Sequence, residues 1–188
     1  MEKERAIIFI DGNNLYHIIK NMFQSHIKLM NFNFEKFLKK ISKGKKLIRA
    51  YYYNAPLDWK KDKTGYAKQQ KFFEKLRNIP DFKLVLCRMQ KVKTNHGIVY
   101  QVKEDDIHLA VDMVRLAYNN AYDTAILVSS DGDFVHSIHA VQEIGKKVKN
   151  IGFDIKFSHH LKKECDTFQL IRKYQVIEMT DNFRVTPK

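Results

Sequence analysis

The sequence predicts an α/β protein built on a mainly parallel central sheet. Three observations carry this. Short runs of β-branched and aliphatic residues read as buried strands, amphipathic stretches of helical period lie between them, and the two alternate as β-α-α-β-α-β-α-β-α-β.

AIIFI (6–10) is short, apolar and β-branched, a buried strand. NLYHIIKNMF (14–23) has helical period, with Leu15, Ile18, Ile19 and Met22 on one face. NFEKFLKKI (33–41) turns Phe34, Phe37, Leu38 and Ile41 inward and its lysines outward. KLIRAYYYN (46–54) is a strand closed by Pro56, and residues 66–77 are helical with Phe72, Phe73 and Leu76 as the stripe. FKLVLCRM (82–89) is a strand, and 90–103 forms a hairpin or ordered loop turning at 95–97. DIHLAVDMVRLAY (106–118) is a helix, TAILVSS (124–130) a strand, FVHSIHAVQEI (134–144) a helix ending at Gly145, and KKVKNIGF (146–153) a strand. Beyond Phe157 a short helix over 161–170 and an irregular or strand-like tail are expected. Nothing in the composition divides the chain, so residues 1–188 read as one domain, with 157–188 as a C-terminal extension packed on it.

Lys and Arg number 34 against 21 Asp and Glu, a formal charge of +13 that points to a polyanionic partner, nucleic acid before an anionic membrane. No apolar run approaches the roughly 20 residues needed to cross a bilayer. MEKERAIIFI does not read as a signal peptide, because an acid sits among its bases and the apolar stretch stops at Asp11. Cys87 and Cys165 are too few for a disulfide framework or a zinc site, and buried thiols in a reducing cytoplasm are expected.

The acids fall where a basic chain has least local reason to put them. In a parallel sheet, ligand sites form beyond the carboxyl ends of the strands. AIIFI ends at Asp11 and AILVSS at Asp131; Asp133 opens the next helix and Asp106 the one before that strand. Four carboxylates brought to one end would repel one another and hold protons near neutral pH. A divalent cation would remove that penalty, and oxygen-only ligands suit Mg²⁺ or Mn²⁺. Each acid alone also has a local reading: Asp133 or Asp106 as an N-cap, Asp11 before Gly12 as a turn former. Asp112, mid-helix, either lines the edge of the site or makes a structural hydrogen bond.

Other chemistries are weakly represented. The first strand is not followed by GxGxxG, and GxxxxGK[ST] is absent, which removes dinucleotide and P-loop readings. Asn13 stands where an aspartyl-phosphate phosphatase would need its second acid. His136 and His139 could reach a phosphate or sit partly exposed on their helix. His159 and His160 lack the spacing of a structural zinc site.

FIDGNNL (9–15), KEDDIHLAVDM (103–113) and LVSSDGDFVHSIHAVQEIGKKV (127–148) resemble, in order, the three motif blocks of the NYN domain in its LabA-like branch, within the PIN-like nuclease superfamily. SHHLKKECDTFQLI (158–171) is similar to the closing motif of that branch. The resemblance implies a three-layer α/β/α PIN-like (Rossmannoid) fold and metal-dependent cleavage of RNA phosphodiesters. By position it implies Asp11, Asp106, Asp131 and Asp133 as metal-site and catalytic acids, with Asn14 orienting Asp11 or a water, and Ser129 as the small hydroxyl residue before the third block's first acid. Lys103 matches a lysine that could meet a phosphate. His136 stands where the branch usually has proline. Glu104–Asp105 replace the usual glycine and apolar residue, which sets Asp105 beside Asp106 as a candidate ligand, with Asp106 the one expected. The resemblance also admits a homodimer.

Mg²⁺ or Mn²⁺ at these acids would polarise a scissile phosphate and activate a water for in-line attack, leaving 5′-phosphate and 3′-hydroxyl ends. The expected activity is thus a cytoplasmic Mg/Mn-dependent ribonuclease acting as an endonuclease, with RNA as the favoured partner. Three basic groups could attract it: Lys36, Lys39, Lys40, Lys43, Lys45 and Lys46; Lys60, Lys61, Lys63, Lys68 and Lys71; and Arg88, Lys91 and Lys93 near the hairpin. Of Tyr51, Tyr53, Trp59 and Tyr66, an exposed ring could stack on an unpaired base, whereas the YYY strand is expected to bury alternate rings. Two alternatives stand beside this reading: a non-catalytic RNA-binding module on the same fold, and a metal-dependent nucleotide phosphohydrolase.

Overall fold

The computed structural model describes residues 2–24, 27–87, 89–94, 97–102 and 104–181, with the backbone alone described over 89–102. Six strands form one sheet: β1 (Arg5–Asp11), β2 (Lys46–Asn54), β3 (Phe82–Leu86), β6 (Thr124–Val128), β7 (Lys147–Phe153) and β8 (Thr167–Ile171). Their order is β3-β2-β1-β6-β7-β8, and every pairing is parallel. Between β3 and β6 the chain forms a separate antiparallel hairpin, β4 (Met89–Thr94) and β5 (Gly97–Val102).

Seven α-helices complete the described chain: α1 (Gly12–Met22), α2 (Phe34–Ile41), α3 (Lys63–Arg77), α4 (Asp105–Tyr118), α5 (Val135–Glu143), α6 (His159–Glu164) and α7 (Lys173–Glu178). They cover both faces of the sheet. Alternation along β1 sends Ile8 and Ile10 to one core, with Leu15, Phe37 and Phe73 from α1, α2 and α3. It sends Ile7 and Phe9 to the other, with Leu109, Ile138 and Leu161 from α4, α5 and α6. Burial on both faces is why β1 and β6 are apolar without alternation.

The covered faces correct the expectation for the YYY strand. Tyr51 and Tyr53 lie in one core and Tyr52 in the other, all three buried. None of them can stack on a base. The tail also differs from expectation: α6 is short, β8 extends the sheet, and α7 packs Val176 into the first core. TFQLI is only half-buried at the sheet edge, so its apolar alternation is weak in sequence. Cys87 and Cys165 are free and buried.

The topology fixes where a site can form. From β1 the chain steps outward through β2 to β3 with α1–α3 on one face, then crosses to β6 and steps the other way through β7 to β8 with α5 and α6 on the opposite face. Right-handed crossovers require that change of face. The strand order reverses between β1 and β6, and open α/β sheets place their ligand sites beyond the carboxyl ends at such a switch point. Asp11 is the last residue of β1, and Ser129–Asp131 follow β6 directly.

Candidate active site

Asp11 is fixed by short bonds from two elements. It caps α1: its Oδ1 accepts from the backbone N–H of Asn14 at 2.9 Å. Its Oδ2 accepts from the hydroxyl of Ser129 at 2.9 Å. The chain can turn this tightly because residue 12 is glycine: a Cβ there would lie 2.5 Å from both the Tyr52 ring and the Tyr53 carbonyl oxygen.

Ser129 in turn accepts from the backbone N–H of Asp131 at 3.1 Å, and Asp131 Oδ1 accepts from the N–H of Asp133 at 3.0 Å, capping the 3-10 turn Gly132–Phe134 that leads into α5. Asp131, not Asp133, is therefore the cap. Asn14 ties the two loops together, because its Oδ1 accepts from both the N–H and the hydroxyl of Ser130, at 3.2 and 3.0 Å. From β7, fully buried Asn150 donates to the carbonyls of Leu127 and Ser129 and so holds the end of β6.

The third contribution comes from the start of α4. One carboxylate oxygen from each of Asp11, Asp105 and Asp106 lies within 4.8 Å of the others. The sequence choice between Asp105 and Asp106 thus has no single winner: both reach Asp11, Asp105 buried and Asp106 exposed. Asp131 and Asp133 stand outside this tight trio, but their charges act on Asp106. Glu104 enters the helix at φ 89°, a left-handed conformation in which glycine is free of strain.

The electrostatics match the crowding. Burial pushes the Asp11 carboxyl up from its ordinary 3.8 to about 7, with the charges of Asp106 and Asp105 adding to it and the bonds from Asn14 and Ser129 opposing it. Asp106, though exposed, is raised to about 6 by partial desolvation and then by the charges of Asp105, Asp131 and Asp133. Among the described residues, none of these five acids forms an ion pair. The donor set is oxygen only, anionic and unneutralised, which fits a hard divalent cation.

The remaining expected residues fall elsewhere. Asp112 accepts from the Tyr53 hydroxyl at 3.1 Å and pairs with Arg115 at 2.7 Å, the structural bond of its two open roles. His136 is exposed, and His139 meets Glu164 at 3.0 Å, tying α5 to α6. Arg88 and Lys103 lie outside the described residues, as do the side chains of Lys91 and Lys93 and the turn at 95–96. Lys43, Lys45 and Lys46 sit where β2 begins, at the end of the sheet away from the acids. The group from Lys60 to Lys71 follows the carboxyl end of β2 and lies on the acid side.

Two neighbours of the site have no role in the sequence reading, which weighs His160 only against zinc spacing. Asn150 carries no motif; its one signal is an amide at the start of the buried half of β7. His160 brings Nδ1 to 3.8 Å from the Cβ position of Gly132, between the two acids of the third block.

An α/β fold with carboxylates gathered at its switch point defines a class whose acids are placed to hold a cation there. The match is more specific than that: the model of the NYN domain matches residues 5–172, and the chain belongs to that family. The NYN domain places it in the PIN-like nuclease superfamily and points to nucleic acid as partner, and the acidic cluster is compatible with metal binding. Among solved structures, a protein of unknown function from Vibrio parahaemolyticus RIMD 2210633 superposes with a TM-score of 0.69 at 27% identity, covering 90% of this chain and 94% of that one. The uncharacterized protein MJ0482 of Methanocaldococcus jannaschii is 39% identical over 61 residues, 32% of this chain and only 25% of that protein's length. No helix among the described residues is long and apolar enough to cross a membrane.

Proposed function

We propose that this chain is a metal-dependent ribonuclease of the LabA-like branch, cutting RNA internally by attack of water on the phosphodiester. The observation that carries the reading is the approach of Asp11, Asp105 and Asp106 to one another, without an ion pair among the described residues, at the switch point of a parallel sheet. Asp11, Asp105 and Asp106 would hold Mg²⁺ or Mn²⁺, with Asp131 and Asp133 adding negative charge beside Asp106. Bound there, the cation supplies Lewis-acid chemistry and a water of lowered pKa.

The chain's own residues do the positioning. Asn14 and Ser129 fix both oxygens of Asp11, so the carboxylate needs no reorganisation to act as a ligand. Asn150 fixes the strand end from which Ser129 and Asp131 project. Attack by water leaves a 5′-phosphate and a 3′-hydroxyl, and the ribose 2′-hydroxyl takes no part. The positive charge of the chain draws RNA toward a site that is itself acidic.

The test is cleavage of single-stranded RNA with Mn²⁺ by the parent and by Asp131→Asn. Asparagine keeps the cap on the N–H of Asp133, so the variant folds. The reading expects cleavage by the parent, 5′-phosphate ends, and loss in the variant. No cleavage by the parent, or cleavage by Asp106→Asn equal to the parent's, overturns the reading; equal cleavage by Asp131→Asn alone removes only the part given to Asp131. Salt-sensitive binding without turnover, indifferent to chelator, selects a binding module instead, and hydrolysis of free nucleotides alone selects a phosphohydrolase. Sedimentation reads whether two copies pair.

A further inference from the structure

The turn that carries Asp11 also forms the mouth of a cavity. On the face covered by α1 and α3, a space of about 870 Å³ opens beside Asn13, within the ~300–1,000 Å³ of small-molecule sites. Its wall is apolar and aromatic, with Tyr52, Phe72, Phe73, Ile27 and Leu29, all buried. Its rim is cationic and exposed, with Tyr16, His17, Lys20, Lys28 and Lys68. Among the described lining residues the acid is Asp62, which caps α3 by accepting from the Gly65 N–H at 2.8 Å. Among the described residues, Lys20, Lys28 and Lys68 form no ion pair.

Cavity and acid cluster share a wall. The Tyr52 hydroxyl donates to the Gly12 carbonyl at 3.2 Å, and Gly12 follows Asp11. Tyr16 stands at the rim with 44% of its surface exposed, and Lys20 Nζ lies 5.9 Å from its ring centroid. An aromatic ring at the mouth, an apolar interior and amines around the edge match a nucleobase with a phosphate on either side. An apolar peptide would use the wall but would leave three ammonium groups unanswered.

We propose that this cavity receives one unpaired nucleotide of the RNA strand, its base at Tyr16 and its flanking phosphates met by Lys20, Lys28 and Lys68. The proposal rests on the ribonuclease reading for the identity of the strand. A base must leave its helix to enter, so the site selects single-stranded RNA over duplex.

Binding of a fluorescein-labelled RNA octamer to the Asp131→Asn protein in Mg²⁺, followed by anisotropy, tests it. In a series where each nucleotide in turn is made abasic, one position loses about tenfold in affinity, the scale of base–aromatic stacking. Tyr16→Ala, an exposed substitution, loses a similar factor and then makes the abasic series flat. A flat series with the Tyr16 protein, unchanged binding by Tyr16→Ala, or equal binding of the duplex overturns the proposal. Because binding is read without turnover, the two readings fail separately. A strand cleaved by the parent with a flat abasic series removes the cavity and leaves the ribonuclease. A strand bound through one base but never cleaved by the parent does the reverse.

Discussion

The two ends of the parallel sheet hold the same acidic residue type in opposite circumstances. At the amino end, Asp123 takes the guanidinium of Arg5 at 2.7 Å and the Arg5 N–H at 2.8 Å, and lies 3.7 Å from Lys146. Glu4 there bonds Lys45 and Thr124. The Arg5 guanidinium holds the Asp123 carboxyl down to about 2. At the carboxyl end, Asp11 and Asp106 are pushed up to about 7 and 6. One end uses acids to fasten strands and loops; the other keeps acids that repel. Only the second arrangement has something to gain from a cation.

The largest expected difference between the ends is in activity. Asp11→Asn lowers Mn²⁺-dependent RNA cleavage by about a hundred- to a thousandfold, as loss of one preorganised charge-stabilising group does. Asp123→Asn leaves cleavage unchanged and lowers the melting temperature instead. Activity and thermal unfolding measured on both variants give this crossed result, and a loss of cleavage in Asp123→Asn breaks the comparison.

Next in size is the turn beneath Asp11. Gly12→Ala places a methyl against the Tyr53 carbonyl, which belongs to the sheet and cannot move aside. Overpacking of this kind costs about 1–3 kcal/mol, read by denaturant unfolding.

The ends also separate by pH. Asp11 binds a proton more tightly folded than unfolded, so without metal the stability it lends is full below pH 4 and is lost as pH rises toward 7. Asp123 runs the other way: its contribution is present above pH 4 and is lost as pH falls toward 2. Added Mn²⁺ therefore raises the melting temperature far more at pH 8 than at pH 5. Equal shifts at both pH values would place the ion elsewhere.

The smallest effect sharpens the site's local geometry. Glu104→Gly relieves a left-handed residue at the entry to α4 and stabilises the fold by up to about 1 kcal/mol.

Much of this contrast was legible in the sequence. Asp11 and Asp131 end buried apolar strands, and a parallel sheet brings such ends together whatever the side chains are. Helical period alone does not say which of the adjacent Asp105 and Asp106 faces a strand end from another part of the chain; both approach Asp11. Asn150 was illegible because its partners are backbone carbonyls of the neighbouring strand, which leave no residue pattern. The burial expected for rings of the YYY strand extends to all three because helices cover both sheet faces, whereas Trp59, an expected stacking ring, and Tyr16, read only as a helix residue, are exposed.

The most direct test is a Mn²⁺-soaked crystal examined in anomalous difference density. The account predicts a peak coordinated by oxygens of Asp11, Asp105 and Asp106, and no peak beside Glu4 and Asp123. Density absent from the trio at saturating Mn²⁺, or present only at the amino end, would contradict it.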